Sequence, residues 1–560
     1  MATRLGVLVF GVALAACGKG SRSSPPPGDP TAPAAAPTRP TVEVTLLYGS
    51  EKKTWLEEQI TAFNAGHPTT PDGAPLHVTG TPSGSGEAMT AILGGAAKPT
   101  VFSPASSAYI TLLDEAWLSQ PGHPKPVAPA GEPLVLSPIV IAMWKPMAEA
   151  LGWPGKPLGW SDILAVSRDP KGWGGHGRPE WGAMKLGHTH PEYSNSGLLS
   201  VLAIAYAGAH TTRGLDAQGL AASGKLMAEV EDAIVHYGQS TGFFADKMIE
   251  RGPTYLSAAV LYENLVIESY GRTPAPPLPL VAIYPVEGTF WSDHPYSVLD
   301  ADWITPGQRA GAAAFLAFLK ARPQQERALA LGFRPVDPAI AVGAPIDLAH
   351  GVDAKQPQTL LEVPDGPTLT ALLATWRASK KPADVVLVFD KSGSMGGAPL
   401  ERAKAGAKAF LATLDARDEV TLEFFDNNIY PAFGPVVVGA SRAELEARID
   451  GISAGGETAL YDATRTAYRL LAARRTTSAH RIRAAVIMTD GTDNKSTTAL
   501  PELLAELGGE DRAATVFTIA YGPEPSRDAL MAIAKAGAGS FSEGDVTSII
   551  QVYRDLASFF

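Results

Sequence analysis

The stretch VVLVFDKSGSMGG, Val385 to Gly397, sets the tightest limit on what this chain can fold into. Five apolar residues in a row cannot form the alternating strand of a sheet with one wet face. They read instead as a strand buried on both sides, the kind found in parallel sheets covered by helices. The run then stops in Asp390, Ser392 and Ser394, with glycines at 393, 396 and 397 that let the backbone turn sharply. Open parallel sheets bind ligands beyond the carboxyl ends of their strands, so these oxygens stand where chemistry is expected.

The alternation continues to the end of the chain. EVTLEFF, RAAVIMT and ATVFTIAY read as strands, whereas GAPLERAKAGAKAFLATL, ALYDATRTAYRLLAA, RDALMAIAKAGAG and DVTSIIQVYRDLASF read as helices. Asp490 follows RAAVIMT in TDGTDN, and Thr458 precedes a helix in GGETALYDA. Two carboxylates and three hydroxyls offer hard oxygen donors only, a set that suits Mg²⁺, with Mn²⁺ or Ca²⁺ as alternatives, and not zinc. A bare Asp-x-Ser-x-Ser also serves as a pair of helix caps. The ordered recurrence of Thr458 and Asp490 at further strand ends argues against that reading. An aspartate after a strand is also the phosphatase nucleophile of the haloacid dehalogenase type, but that chemistry needs a second aspartate where Ser392 stands. No GxxxxGK[ST] loop occurs.

Residues 384–560 resemble a von Willebrand factor type A domain with a metal-ion-dependent adhesion site. Asp390, Ser392, Ser394, Thr458 and Asp490 fill all five positions of that motif. The resemblance implies a doubly wound, Rossmann-like fold, serines and threonine on the metal, and aspartates bound to it directly or through water. It also implies a protein partner that presents an acidic residue to the open coordination position.

Residues 41–345 alternate as well: VEVTLLY, LHVTGT and PTVFSP as strands, KTWLEEQITAFNAGH, GEAMTAILGGA and AYITLLDEAW as helices, then a second set from PLVLSPIVIAMW. About 300 residues is large for one core, so two α/β lobes are expected. Hydroxyl and amide residues gather before the helices: Ser50, Ser83, Ser85, Ser103, Ser106, Ser107, Ser194, Asn195 and Ser196. Helix starts offer free N–H groups and partial positive charge, which together hold anions, although serine is also an ordinary N-cap. TGTPSGSGEAMTAILGGAAKPTVFSPASSAYITLL, HTHPEYSNSGLLSVLA, AIYPVEGTFWSDHPYSVL and RPQQERALALGFRPVDP together resemble a bacterial extracellular solute-binding protein of the two-lobed, periplasmic type. By that resemblance Ser83, Gly84, Ser85, Ser103 and Ser106 face the ligand from one lobe, and Ser194 and Asn195 from the other. Ser50 joins them as a helix-start residue; the resemblance does not carry over the identity of the solute, and helix starts meeting in one cleft would suit a small oxyanion or another polar solute. His188 and His190 have no third metal ligand at useful spacing, and an exposed loop before Pro191 is the expectation for them. Residues 346–383 form a connector whose helical stripe, Leu369, Leu372, Leu373 and Trp376, is expected to pack on the domain C-terminal to it.

Residues 1–17 read as a lipoprotein signal peptide. Arg4 precedes a short apolar run, and Cys17, the only cysteine, follows Leu14-Ala15-Ala16 as in a bacterial lipobox. A lone cysteine has no partner for an internal disulfide, which favours lipidation. Residues 18–40, rich in proline and small residues, read as a disordered tether. A formal charge of −11 argues against nucleic acid, and the basic run from Arg469 to Arg483 reads as the solvated end of a helix. The expectation is an α/β envelope lipoprotein: a two-lobed solute-binding domain, a connector, then the metal-bearing domain. The alternatives are a receptor that delivers solute to a permease, and a scaffold whose cleft has lost its ligand. Cys17→Ser should move the protein from the membrane pellet to the soluble fraction; a variant that stays with the membrane contradicts the lipobox.

Overall fold

The computed structural model describes residues 39–477, 480–508, 513–522 and 525–557. Cys17 and the tether up to residue 38 lie outside the described residues. Thr41–Phe560 forms one unit. No helix among the described residues is long and apolar enough to cross a membrane.

The first lobe is a sheet in the order Leu76–Ser83, Val42–Gly49, Val101–Ser103, Pro295–Val298 and Glu132–Pro133. Its first three strands run parallel, and Pro295–Val298 joins antiparallel when the chain returns from the second lobe. The second lobe is built on Val135–Trp144, buried along nearly its whole length. Around it lie Trp291–Ser292, Ala258–Tyr262, Leu186–Thr189 and Ile234–Gly238, with Leu280–Ile283 and Arg334–Pro335 also paired to it. The expected two α/β lobes are therefore present.

The third sheet runs Phe433–Val437, Glu419–Phe425, Ala383–Asp390, Ile482–Thr489, Thr515–Tyr521 and Ala538–Gly544. All its pairings are parallel except that of the edge strand Phe433–Val437. The opening apolar run serves two cores at once. Val385, Leu387 and Phe389 pack with Leu400, Ala403 and Phe410 on one face; Val386 and Val388 pack with Leu460, Ala463 and Leu471 on the other. Each such buried aliphatic side chain contributes roughly 1.5–3 kcal/mol, so the strand is fixed in register from both sides.

Around the third sheet, four described elements escape the periodicity reading: Phe433–Val437, the helices Val438–Asp450 and Leu500–Leu507, and Ala538–Gly544. The last begins where RDALMAIAKAGAG was expected to continue as helix; the helix stops at Ala536 and Ala538 takes a φ of 54°. The expectation for the histidines is also corrected. His188 lies on the buried strand Leu186–Thr189, its Nε2 3.1 Å from Glu231 Oε1. His190 is buried against Tyr193 and Trp376. The connector helix Gly366–Ser379 carries the expected stripe, but packs mainly on helices of the two preceding lobes. A stripe shows that a face must be covered and leaves open by what.

Glu423 is a consequence of this burial. It sits on the central strand Glu419–Phe425, in register with Val388, and neither carboxylate oxygen has a hydrogen-bond partner among the described residues. Burial pushes its carboxyl up to about 8. The folded state then holds a proton that the unfolded chain releases above its ordinary value of about 4.3. Stability from this group is thus complete in acid and is lost as pH rises toward 8, by roughly 3 kcal/mol at pH 7. Glu423→Gln should unfold at a higher temperature than wild type, with the gap widening from pH 5 to pH 8; a pH-independent gap would count against this account.

Candidate functional site

Two places gather the residues singled out in the sequence. The first is the carboxyl edge of the third sheet. Asp390 ends its strand fully buried; its Oδ1 accepts from Ser392 N at 2.7 Å, and its Oδ2 accepts from the Thr489 hydroxyl. The Ser394 hydroxyl donates to Asp490 Oδ1 at 2.7 Å, and the Ser392 and Ser394 hydroxyls lie 3.2 Å apart. Thr458 arrives from a different loop. Its N–H donates to Asn494 Oδ1 at 2.9 Å, and its carbonyl accepts from Asn494 N and Lys495 N. A Cβ on Gly491 would stand 2.8 Å from Thr458 Oγ1, so the glycine of TDG is what lets the two loops close. The structure thus brings all five residues to one edge.

The Asp390 carboxylate accepts hydrogen bonds but has no ion pair among the described residues. Burial raises the Asp390 carboxyl to about 6, and the neighbouring charge of Asp490 adds to the effect, against the hydrogen bonds from Thr489 and Ser392. Lys391 does not neutralise it: its ammonium donates to Asp426 Oδ2 at 2.6 Å and lies 4.6 Å from the centre of the Tyr430 ring. A buried carboxylate, a second one beside it and three hydroxyls make an all-oxygen set suited to a hard divalent cation. Thr489 is the residue that sequence reasoning missed. Its place at the end of an apolar strand, one residue before Asp490, was the available signal.

The second place is the seam between the two lobes. Ser50 donates to Ser240 Oγ and accepts from Gly242 N, each at 3.0 Å. Ser106 donates to Asn195 Oδ1 at 2.7 Å, and Asn195 Nδ2 donates to the Tyr262 hydroxyl at 2.9 Å. Ser194 pairs with Thr241 at 3.0 Å. Ser83 and Ser85 bond within the first lobe, to Glu87 and to Ala105 N. Ser103 is buried, and its hydroxyl has no partner among the described residues. The N–H groups of Gly86 and Glu87, at the start of helix Ser85–Leu93, donate to Tyr193 O of the opposite lobe at 2.9 and 3.2 Å. A Cβ on Gly84 would collide with Tyr193 O, and one on Gly86 with Glu192 O. The helix start expected to hold an anion is therefore capped by a carbonyl across the seam. Two surface cavities of about 320 and 510 Å³ are lined by other residues.

Residues 44–334 match the family profile described as bacterial extracellular solute-binding protein. The chain belongs to that family. Residues 384–555 match the von Willebrand factor type A domain. These are binding-protein and adhesion-type domains, not enzyme families. Among solved structures, the chain is similar to the sulfate-binding protein SubI from Mycobacterium tuberculosis H37Rv (18% identity, TM-score 0.39, covering 56% of this chain and 93% of that one). It is similar to the periplasmic binding protein AfuA from Actinobacillus pleuropneumoniae (15%, TM-score 0.43, 61% and 99%). It is also similar to a von Willebrand factor type A protein from Catenulispora acidiphila (22%, TM-score 0.29), covering 32% of this chain and spanning 42% of that protein. Comparison with curated proteins gives no match.

The solute-binding lobes meet backbone to backbone at Gly86, which makes that residue a sensitive probe. Gly86→Ala should force them apart at a cost of roughly 1–3 kcal/mol in the closed arrangement. Small-angle scattering should show a larger radius of gyration; scattering and thermal midpoint both equal to wild type would contradict the observed closeness.

Proposed function

We propose that this protein is a non-enzymatic binding protein of the bacterial cell envelope, facing the periplasm or exterior and held to a membrane by lipid on Cys17. It docks a protein partner through a divalent cation at Asp390, Ser392, Ser394, Thr458 and Asp490, and takes a small polar solute between its lobes. The observation that supports this best is the convergence, from three loops, of five oxygen-bearing residues, one of them the buried carboxylate of Asp390. The five residues would hold Mg²⁺ or a similar hard ion. When bound, the ion supplies an electrophilic position for a carboxylate of the partner. The chain's own part is to bury Asp390, orient it through Thr489 and Ser392 N, and hold Ser394 against Asp490.

For the lobes, Ser50, Ser103, Ser106, Ser194 and Asn195 are the residues that an opened cleft would present to a solute. A second reading is favoured by one observation: Gly86 and Glu87 already donate to Tyr193 O. On that reading the lobes are a scaffold without ligand. A receptor that only hands solute to a permease has no use for the metal-bearing domain and fits less well.

Asp390→Ala should lose divalent-ion binding while staying folded, because the strand behind it is held by apolar packing on both faces. Titration calorimetry of the full chain with Mg²⁺ and Mn²⁺, with circular dichroism as the control for folding, tests this. A folded Asp390→Ala protein that binds the ion as wild type does would overturn the metal assignment.

A further inference from the structure

We infer that the connector helix and the metal-bearing domain form a strap that holds the two solute-binding lobes shut, so that opening the cleft requires the strap to yield. Helix Gly366–Ser379 touches three bodies along its length. Its first residue, Gly366, sits so close to Glu115, on the first-lobe helix Ala108–Leu118, that a Cβ there would collide with the carboxylate. That places an acidic group at the positive end of the helix. Further along, Trp376 is fully buried with its ring 4.8 Å from His190 and 5.8 Å from Tyr237 on the second lobe, and Arg377 pairs with Glu192. The last turn is held by the metal-bearing domain. Arg417 donates to the carbonyls of Arg377, Ala378 and Lys380, satisfying the unpaired end of the helix.

The turn gripped in the middle is the one that closes the seam. Residues 190–193 face Trp376 and Arg377 on one side. On the other, Pro191 O accepts from the Tyr109 hydroxyl at 2.8 Å, and Tyr193 O accepts from Gly86 and Glu87 N–H. A second contact binds the metal-bearing domain to the same lobe. Arg251 ends the helix whose Gly242 N–H meets Ser50 across the seam, and it donates to Ala538 O at 2.7 Å and to Gly539 O. Lys381 and His480 both approach Asp232, at 3.7 and 3.3 Å. Opening the lobes about their crossing strands must therefore pull Glu115 from the helix start, or pull the 190–193 turn from Trp376 and Arg377. A partner that draws on the metal-bearing domain would loosen the same contacts.

The inference rests on the reading that the lobes can open. It is tested on the full chain carrying Cys17→Ser, with spin labels on cysteines introduced at Ala62 and Lys225, exposed residues of the first and second lobes. Double electron–electron resonance should give one short distance for this protein. Arg377→Glu should populate a longer distance at least fivefold more, and adding Glu192→Arg should restore the short one. Trp376→Ala, checked for folding by circular dichroism, should open it further. Arg377→Glu and folded Trp376→Ala samples that both keep the parent distribution would overturn the strap. If the strap variants open while a thermal-shift panel of sulfate, phosphate, amino acids and sugars stabilises none of the proteins, the strap stands and the solute reading fails. If a solute stabilises the parent chain but neither variant opens, the solute reading stands and the strap fails.

Discussion

Asp390 must carry charge at a point from which the sheet has nearly removed water. The strand that delivers it is apolar on both faces because helices cover both, and the same covering that secures the fold raises the cost of the carboxylate. Its neighbours answer that cost in part. Thr489 from the next strand and Ser392 N from the following turn each give a hydrogen bond. The next residue in the chain, Lys391, is paired with Asp426. The Thr458 hydroxyl has room at that edge only because Gly491 lacks a side chain.

The two lobes obey the opposite logic. Their helix starts and several of their serines satisfy one another across the seam, while the buried Ser103 hydroxyl has no partner among the described residues. Close approach at Gly84 and Gly86 makes the closure a matter of backbone contact, which tolerates no added carbon. One domain therefore presents an electrostatic demand at its surface, while the other has met its demands internally. The connector helix joins them, and its residues lean on both.

How far the sequence could be read depends on which interactions are local. The places of the five oxygen-bearing residues at the edge of the third sheet were legible because each stands at the end of a strand or the start of a helix, and those ends follow from apolar periodicity. Thr489 was not, since a threonine closing an apolar strand looks like any β-branched strand residue. The seam serines were found as helix starts. Whether Gly86 N–H would meet a solute or Tyr193 O depends on how two distant segments face each other, which no periodicity encodes. The same limit hid the partner of Trp376 and placed His188 and His190 in a loop when Glu231 and the aromatic rings hold them in the interior. The edge strand Phe433–Val437 is largely exposed, so it lacks the apolar signal that marked the central ones.

The central claim is that the carboxyl edge of the third sheet holds a hard divalent cation. Anomalous diffraction from crystals of the full chain grown with Mn²⁺ tests it most directly. The account predicts a single strong peak bounded by Ser392, Ser394 and Thr458 hydroxyls and the carboxylates of Asp390 and Asp490, absent from crystals grown with EDTA. Crystals that bind Mn²⁺ elsewhere, or show no peak at that edge when the ion is in excess, would contradict it.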